Sequence, residues 1–193
     1  MPSTDPLLVC APLAVEAFAL GTSANLRVVR TGMGPDRSRT AARALARAPA
    51  RAVVVAGFGG ALDPSLEPGD VVVADTVSGP DGDSGCESES LAAALRAEGL
   101  RVVVGTIACC DHIVKGDERR ALFERGACAV DMESAWLATA AAGRPFCVVR
   151  AVVDTPRREL GSLFSTLRGG TRGYQSLARV GRTLGRWASE TSF

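Results

Sequence analysis

Val148-Val149-Arg150-Ala151-Val152-Val153-Asp154 is an apolar run that ends on a carboxylate. An unbroken run, rather than an alternating one, reads as a strand covered on both faces. Just upstream stands Ala129-Val130-Asp131-Met132-Glu133-Ser134-Ala135, which puts Glu133 at the start of a helix expected over Asp131–Ala142. Gly143 and Pro145 stop that helix, and the strand follows over Phe146–Val153.

The same alternation extends outward from this pair. Strands are expected at Leu7–Ala11, Leu26–Arg30, Ala52–Ala56, Val71–Ala74 and Arg101–Ile107. Helices are expected at Leu13–Leu20, Asp36–Ala48, Leu91–Glu98 and Glu118–Glu124. The pattern is α/β: a sheet with helices on both faces. Ser78–Ser90 and Arg168–Gly173 read as exposed loops, rich in glycine and polar residues. A basic amphipathic helix is expected at about 174–187, either packing with a solvated face or meeting a partner or membrane surface.

At 193 residues the chain reads as a single domain, 1–193, able to bury a full core. Apolar residues make up 47% of it, but no run approaches a membrane span and the N-terminus lacks a signal-peptide pattern. The expectation is a cytoplasmic protein without stable membrane insertion. A net charge of +1 gives no reason to expect nucleic acid. The six cysteines form no C-x-x-C pair and read as reduced structural thiols. A single histidine, His112, excludes a His-rich metal site, and no metal is expected.

Gly57-Phe58-Gly59 follows a strand, but the third glycine of a dinucleotide fingerprint would fall on Leu62 and no helix follows. Two readings of these small residues remain: close approach of a ligand to the backbone, or a tight strand exit. Gly32-Met33-Gly34 precedes a helix, where backbone N–H groups can face an anion or a sugar hydroxyl. Arg37, Arg39 and Arg150 are further candidates for an anion site.

The order of strand, Gly32-Met33-Gly34, the segment Gly57-Phe58-Gly59-Gly60-Ala61-Leu62-Asp63-Pro64, Val130-Asp131-Met132-Glu133-Ser134-Ala135 and Val148–Asp154 resembles the purine nucleoside phosphorylase / methylthioadenosine–adenosylhomocysteine nucleosidase superfamily. Asp154-Thr155-Pro156-Arg157 is most similar to its hopanoid-biosynthesis nucleoside phosphorylase branch.

The resemblance implies a three-layer α/β/α sandwich around a twisted mixed β-sheet, in a homodimer or higher homo-oligomer. It implies cleavage of the N-glycosidic bond of a 5′-modified purine nucleoside, with adenine released and no cofactor. Asp154 matches the acid that protonates the purine, and Glu16 the base that activates water. Glu133 matches the group that holds the ribose hydroxyls, and Met132 packs on the sugar. Ile113 and Val114 match base-contacting positions, and Phe58, Gly59 and Gly34 complete the substrate set.

Phe58 replaces a serine that many members use to hold phosphate or water, and Val55 replaces the phosphorylase arginine. Both changes favour water over phosphate, whereas the branch resemblance favours phosphate, so phosphate as a partner stays open. A nucleoside-binding protein without turnover and a structural partner protein are the rivals from other classes.

Overall fold

The computed structural model describes residues 5–156 and 167–191. In chain order the elements are β1 (Leu7–Ala11), α1 (Ala14–Leu20), β2 (Leu26–Arg30), α2 (Pro35–Leu45), β3 (Val53–Ala61), β4 (Val71–Gly79), β5 (Gly82–Gly85), α3 (Glu89–Ala97), β6 (Val102–Cys109), α4 (Asp117–Glu124), β7 (Ala127–Asp131), α5 (Ser134–Leu137), a 3₁₀ turn (Ala138–Ala141), β8 (Phe146–Asp154) and α6 (Leu167–Glu190).

The eight strands form one mixed sheet. Alternate residues of β1 and β3 enter two different cores. Leu7, Val9, Val54 and Ala56 pack with Leu20 of α1, Leu91 and Leu95 of α3 and Leu177, Val180 and Leu184 of α6. Leu8, Cys10, Val53 and Val55 pack with Ala42 and Leu45 of α2 and with Trp136 and Leu137 of α5. The molecule is therefore a three-layer α/β/α sandwich, and burial of both faces is why these strands carry no polar alternation.

The sheet also closes on itself. β3 pairs with β8, β8 with β4, β4 with β6, β6 with β7, and β7 again with β3. One edge of β3 is shared by two partners: β1 pairs with it at Val53–Val55, and β7 takes over at Gly60 and Ala61. Between these stretches the sheet forks. Its register to β8 shifts between Gly59 and Gly60, and a break of this kind bends a strand and re-aims its neighbours.

Several elements differ from the sequence expectation. The expected strand at Ala52–Ala56 runs on through the glycines to Ala61 because β8 and then β7 pair with them. Ser78–Ser90 is no loop: β4 continues to Gly79 and turns through Pro80-Asp81 into β5. β7 was not expected at all, and the helix expected over Asp131–Ala142 is a strand end, one helical turn and a 3₁₀ turn. Arg168–Gly173 lies within α6. Gly173 sits there against Val153 and the Val152 carbonyl, a contact that leaves no room for a side chain and overrides glycine's low helix propensity. The apolar face of α6, through Leu177, Val180, Leu184 and Trp187, is buried, which accounts for the amphipathic pattern by packing. Arg157 of the branch motif lies outside the described residues.

Among the described residues no helix is long and apolar enough to cross a membrane, and all six cysteines are free thiols.

α1 is held against the sheet by α6, and Gly181 lies where the two helices touch. A Cβ there would run into the backbone of Leu20. Gly181→Ala is expected to destabilise the protein by about 1–3 kcal/mol through overpacking, read as a lower urea midpoint with an unchanged slope.

Candidate active site

The fork between β1 and β7 strands a backbone donor. The Phe58 N–H lies on β3 after β1 has ended and before β7 begins, and a buried N–H needs an acceptor. Glu16 supplies it: Oε1 accepts from Phe58 N at 2.7 Å, while Oε2 accepts from Leu13 N at 2.6 Å. The second bond is the reach-back contact of a capping box and ties the carboxylate to the start of α1. Phe58 thus takes part through its main chain, and its ring packs against the core on the α1/α6 side.

Arg150 of β8 is completely buried beneath the fork. Its Nε donates to Asp131 Oδ2 at 2.8 Å, and Nη2 lies 2.7 Å from the same oxygen and 3.5 Å from Glu133 Oε2. Burial alone would lower the Arg150 pKa, but Asp131, Glu133 and Glu16 outweigh it and push it up. Arg150 Nη1 has no hydrogen-bond partner. A Cβ on Gly57 would lie 2.6 Å from Glu16 Oε1 and 2.7 Å from Arg150 Nη1. Glycine here is what lets the carboxylate and the guanidinium face one another.

Asp131 also organises Glu133. Its Oδ1 accepts from the Glu133 and Ser134 main-chain N–H groups and from the Ser134 hydroxyl, at 3.2, 3.1 and 2.8 Å. Glu133 is the N-cap of α5, and its Oε1 accepts from Gly34 N at 3.2 Å. The Gly34 N–H therefore meets a carboxylate of the protein itself, not an anion site. Both Glu16 and Glu133 are held above the usual carboxylate range, chiefly by burial, with Arg150 opposing. Met132 is half-buried beside them.

Asp154 stands apart from this cluster at the end of β8, 3% exposed. It forms a buried ion pair with Arg119 of α4. Arg119 also donates through Nε to Val114 O at 3.1 Å and through Nη1 to Ala61 O at 3.2 Å. A Cβ on Gly60 would lie 2.8 Å from Arg119 Nη2 and 2.9 Å from Asp154 Oδ1.

The other candidate residues have these surroundings. At Gly59 the group that approaches is Arg150, whose Cβ would be 3.0 Å from a Cβ added there. Val114 is buried in a small core with Leu62 and Val130 and gives its carbonyl to Arg119, while Ile113 is 60% exposed. Arg37 lies along Gly32, and Arg39 stacks over Trp136 at 4.0 Å, so neither is set out as an anion site. His112 is an exposed partner of Asp111 and Glu118, at 2.7 and 3.0 Å.

Sequence reasoning missed Arg119 and gave Asp131 no role. Asp131 carried a signal, an Asp at a strand end two residues before Glu133, whereas Arg119 carried none. Among the described residues no His/Cys/Asp/Glu cluster could hold a metal ion.

The sequence profile of the Phosphorylase superfamily matches residues 14–167. The chain belongs to this superfamily. A 5′-methylthioadenosine/S-adenosylhomocysteine nucleosidase of Geobacillus kaustophilus (strain HTA426) is 31% identical over 139 residues, a match spanning 58% of this chain and 59% of that relative's length. The S-adenosylhomocysteine nucleosidase of Streptococcus pyogenes, solved with 5-methylthiotubericidin, superposes with a TM-score of 0.75 at 25% identity, over 92% of this chain and 96% of that one. The futalosine hydrolase of Helicobacter pylori strain 26695 shares the fold, with a TM-score of 0.75 at 18% identity over 96% and 97% of the two chains.

The guanidinium of Arg150 is central to this superfamily member's charge balance. Arg150→Met keeps volume but leaves buried carboxylates uncompensated, so a loss of about 3–5 kcal/mol is expected at neutral pH. The folded variant then binds protons more tightly than the unfolded chain, so its stability rises as pH falls. Urea denaturation at pH 7.5 and pH 5.5 checks both the loss and its partial recovery.

Proposed function

We propose that the protein hydrolyses the N-glycosidic bond of a 5′-modified adenine nucleoside, releasing adenine. The observation that carries this reading is the facing pair over Gly57: a buried carboxylate, Glu16 Oε1, and the unpartnered Arg150 Nη1. A buried acceptor and an unused donor beside the same glycine are groups that a water molecule can bridge. A phosphate dianion would instead meet Glu16 and Glu133, with the charge of Arg150 already balanced by carboxylates.

Glycosidic cleavage builds positive charge on the sugar and negative charge on the base. Asp154 gives its proton to purine N7 as the C1′–N9 electron pair passes to the base. Glu133 accepts from the ribose hydroxyls and, with Glu16, stabilises the cationic sugar. Water held by Glu16 and Arg150 forms the new C1′–O bond and its proton passes to Glu16. The products are adenine and the 5′-modified ribose, and proton exchange with solvent restores both carboxyls. The named relatives support methylthioadenosine and adenosylhomocysteine as first substrates. Phosphorolysis of adenosylhopane is the alternative, resting on the Asp154–Arg157 motif.

The test is chromatographic detection of adenine from 5′-methylthioadenosine, S-adenosylhomocysteine and an adenosine bearing a long apolar 5′ group, with and without phosphate. Adenine without phosphate supports hydrolysis; strict phosphate dependence overturns it, and binding without adenine release favours the non-catalytic rival. Asp154→Asn and Glu16→Gln are each expected to remove about 10²–10⁴-fold of the rate. Glu16 must be ionised to take the water proton and burial raises its pKa. The acid limb of the kcat profile is therefore expected above the ordinary glutamate value, with activity falling as pH drops through it.

A further inference from the structure

Arg119 has no part in the reaction as derived above, yet it is among the most committed side chains of the molecule. It is 4% exposed and reaches from α4 to three other places: the main chain of the β6–α4 connection at Val114, the end of β3 at Ala61, and Asp154 at the end of β8. The partner in the ion pair is Asp154 Oδ2.

Arginine carries five N–H donors and no acceptor, and it stays protonated in proteins. The oxygen it faces must therefore accept, and the unprotonated oxygen of a carboxyl is the better acceptor. A carboxyl with one oxygen so engaged carries its proton preferentially on the other.

We propose that Arg119 is a positioning residue: by holding Oδ2 of Asp154 it confines the acid's proton to Oδ1 and fixes the plane in which that proton is delivered to the purine. The inference rests on Asp154 serving as the acid in the reaction proposed above. The bonds to Ala61 and Val114 give the guanidinium a fixed seat. Gly60 is part of that seat, since a Cβ there would press on both Arg119 Nη2 and Asp154 Oδ1. Arg119 acts on the substrate only through Asp154. It therefore belongs to the proton-transfer step and not to nucleoside binding.

The experiment is a double-mutant cycle on adenine release from 5′-methylthioadenosine, with kcat and KM measured separately for the wild type, Arg119→Met, Arg119→Lys, Asp154→Asn and the Asp154→Asn/Arg119→Met double variant. A misaimed reacting group costs on the order of 100-fold, so Arg119→Met is expected to lower kcat by about that factor with KM within about threefold. Arg119→Lys, which keeps a donor and a charge, is expected to recover about tenfold of the loss. In the Asp154→Asn background, where no acid proton remains, removing Arg119 is expected to lower kcat by less than about threefold.

An equal loss in both backgrounds assigns Arg119 to packing and overturns the proposal, as does an Arg119→Met variant with wild-type kcat. An Arg119→Lys variant as impaired as Arg119→Met also overturns it. A wild-type protein that releases no adenine overturns the reaction itself, a result distinct from any failure of Arg119 alone.

Discussion

A guanidinium with no access to water must be neutralised by its neighbours, and Arg150 sets that demand at the centre of this fold. Asp131 comes from the end of β7, Glu133 from the cap of α5 and Glu16 from the first turn of α1. Each charge arrives from a different element, so β1, β7 and β8 must converge in one geometry for the charges to balance. Replacing such a cluster with apolar groups is often neutral or stabilising. Its presence here fits the proposed chemistry, in which Glu16 and Glu133 both act as carboxylates.

The fork in the sheet makes room for this arrangement. A continuous ladder between β1 and β3 would have consumed the Phe58 N–H and closed the space above Gly57. Because β7 replaces β1 along the edge of β3, a short stretch of strand faces side chains instead of another strand. Gly57 and Gly59 lie in that stretch and Gly60 at its end, where β7 begins, and each is small for the same reason: a charged side chain of the protein lies against it. The glycines serve the site by admitting Glu16, Arg150, Arg119 and Asp154 to close range.

Two buried arginines thus divide the site. Arg150 is paired with Asp131 and Glu133, and Arg119 with Asp154; in the proposed reaction the first lies on the side of the attacking water and the second on the side of the leaving base. Both hydrogen-bond networks tie strand ends to the starts of helices or loops, which is where an open α/β sheet gathers its functional groups. Burial raises the pKa of Glu16 and Glu133 and so costs stability at neutral pH, the usual trade between a reactive site and a relaxed one.

The layered α/β architecture was legible in the chain because a strand buried on both faces must be apolar throughout, as Leu7–Ala11 and Val148–Val153 are. Glu133 and Asp154 stood out as candidates because one opens an expected helix and the other ends an apolar strand, whereas Glu16 was singled out by the family resemblance. Tertiary structure alone decided that β3 runs on through its glycines, that β7 exists, that α6 absorbs a glycine-rich segment and that Arg119 meets Asp154. In each case the deciding partner is distant in sequence. Local propensity argued for a stop or a loop, and pairing or close packing with that partner outweighed it.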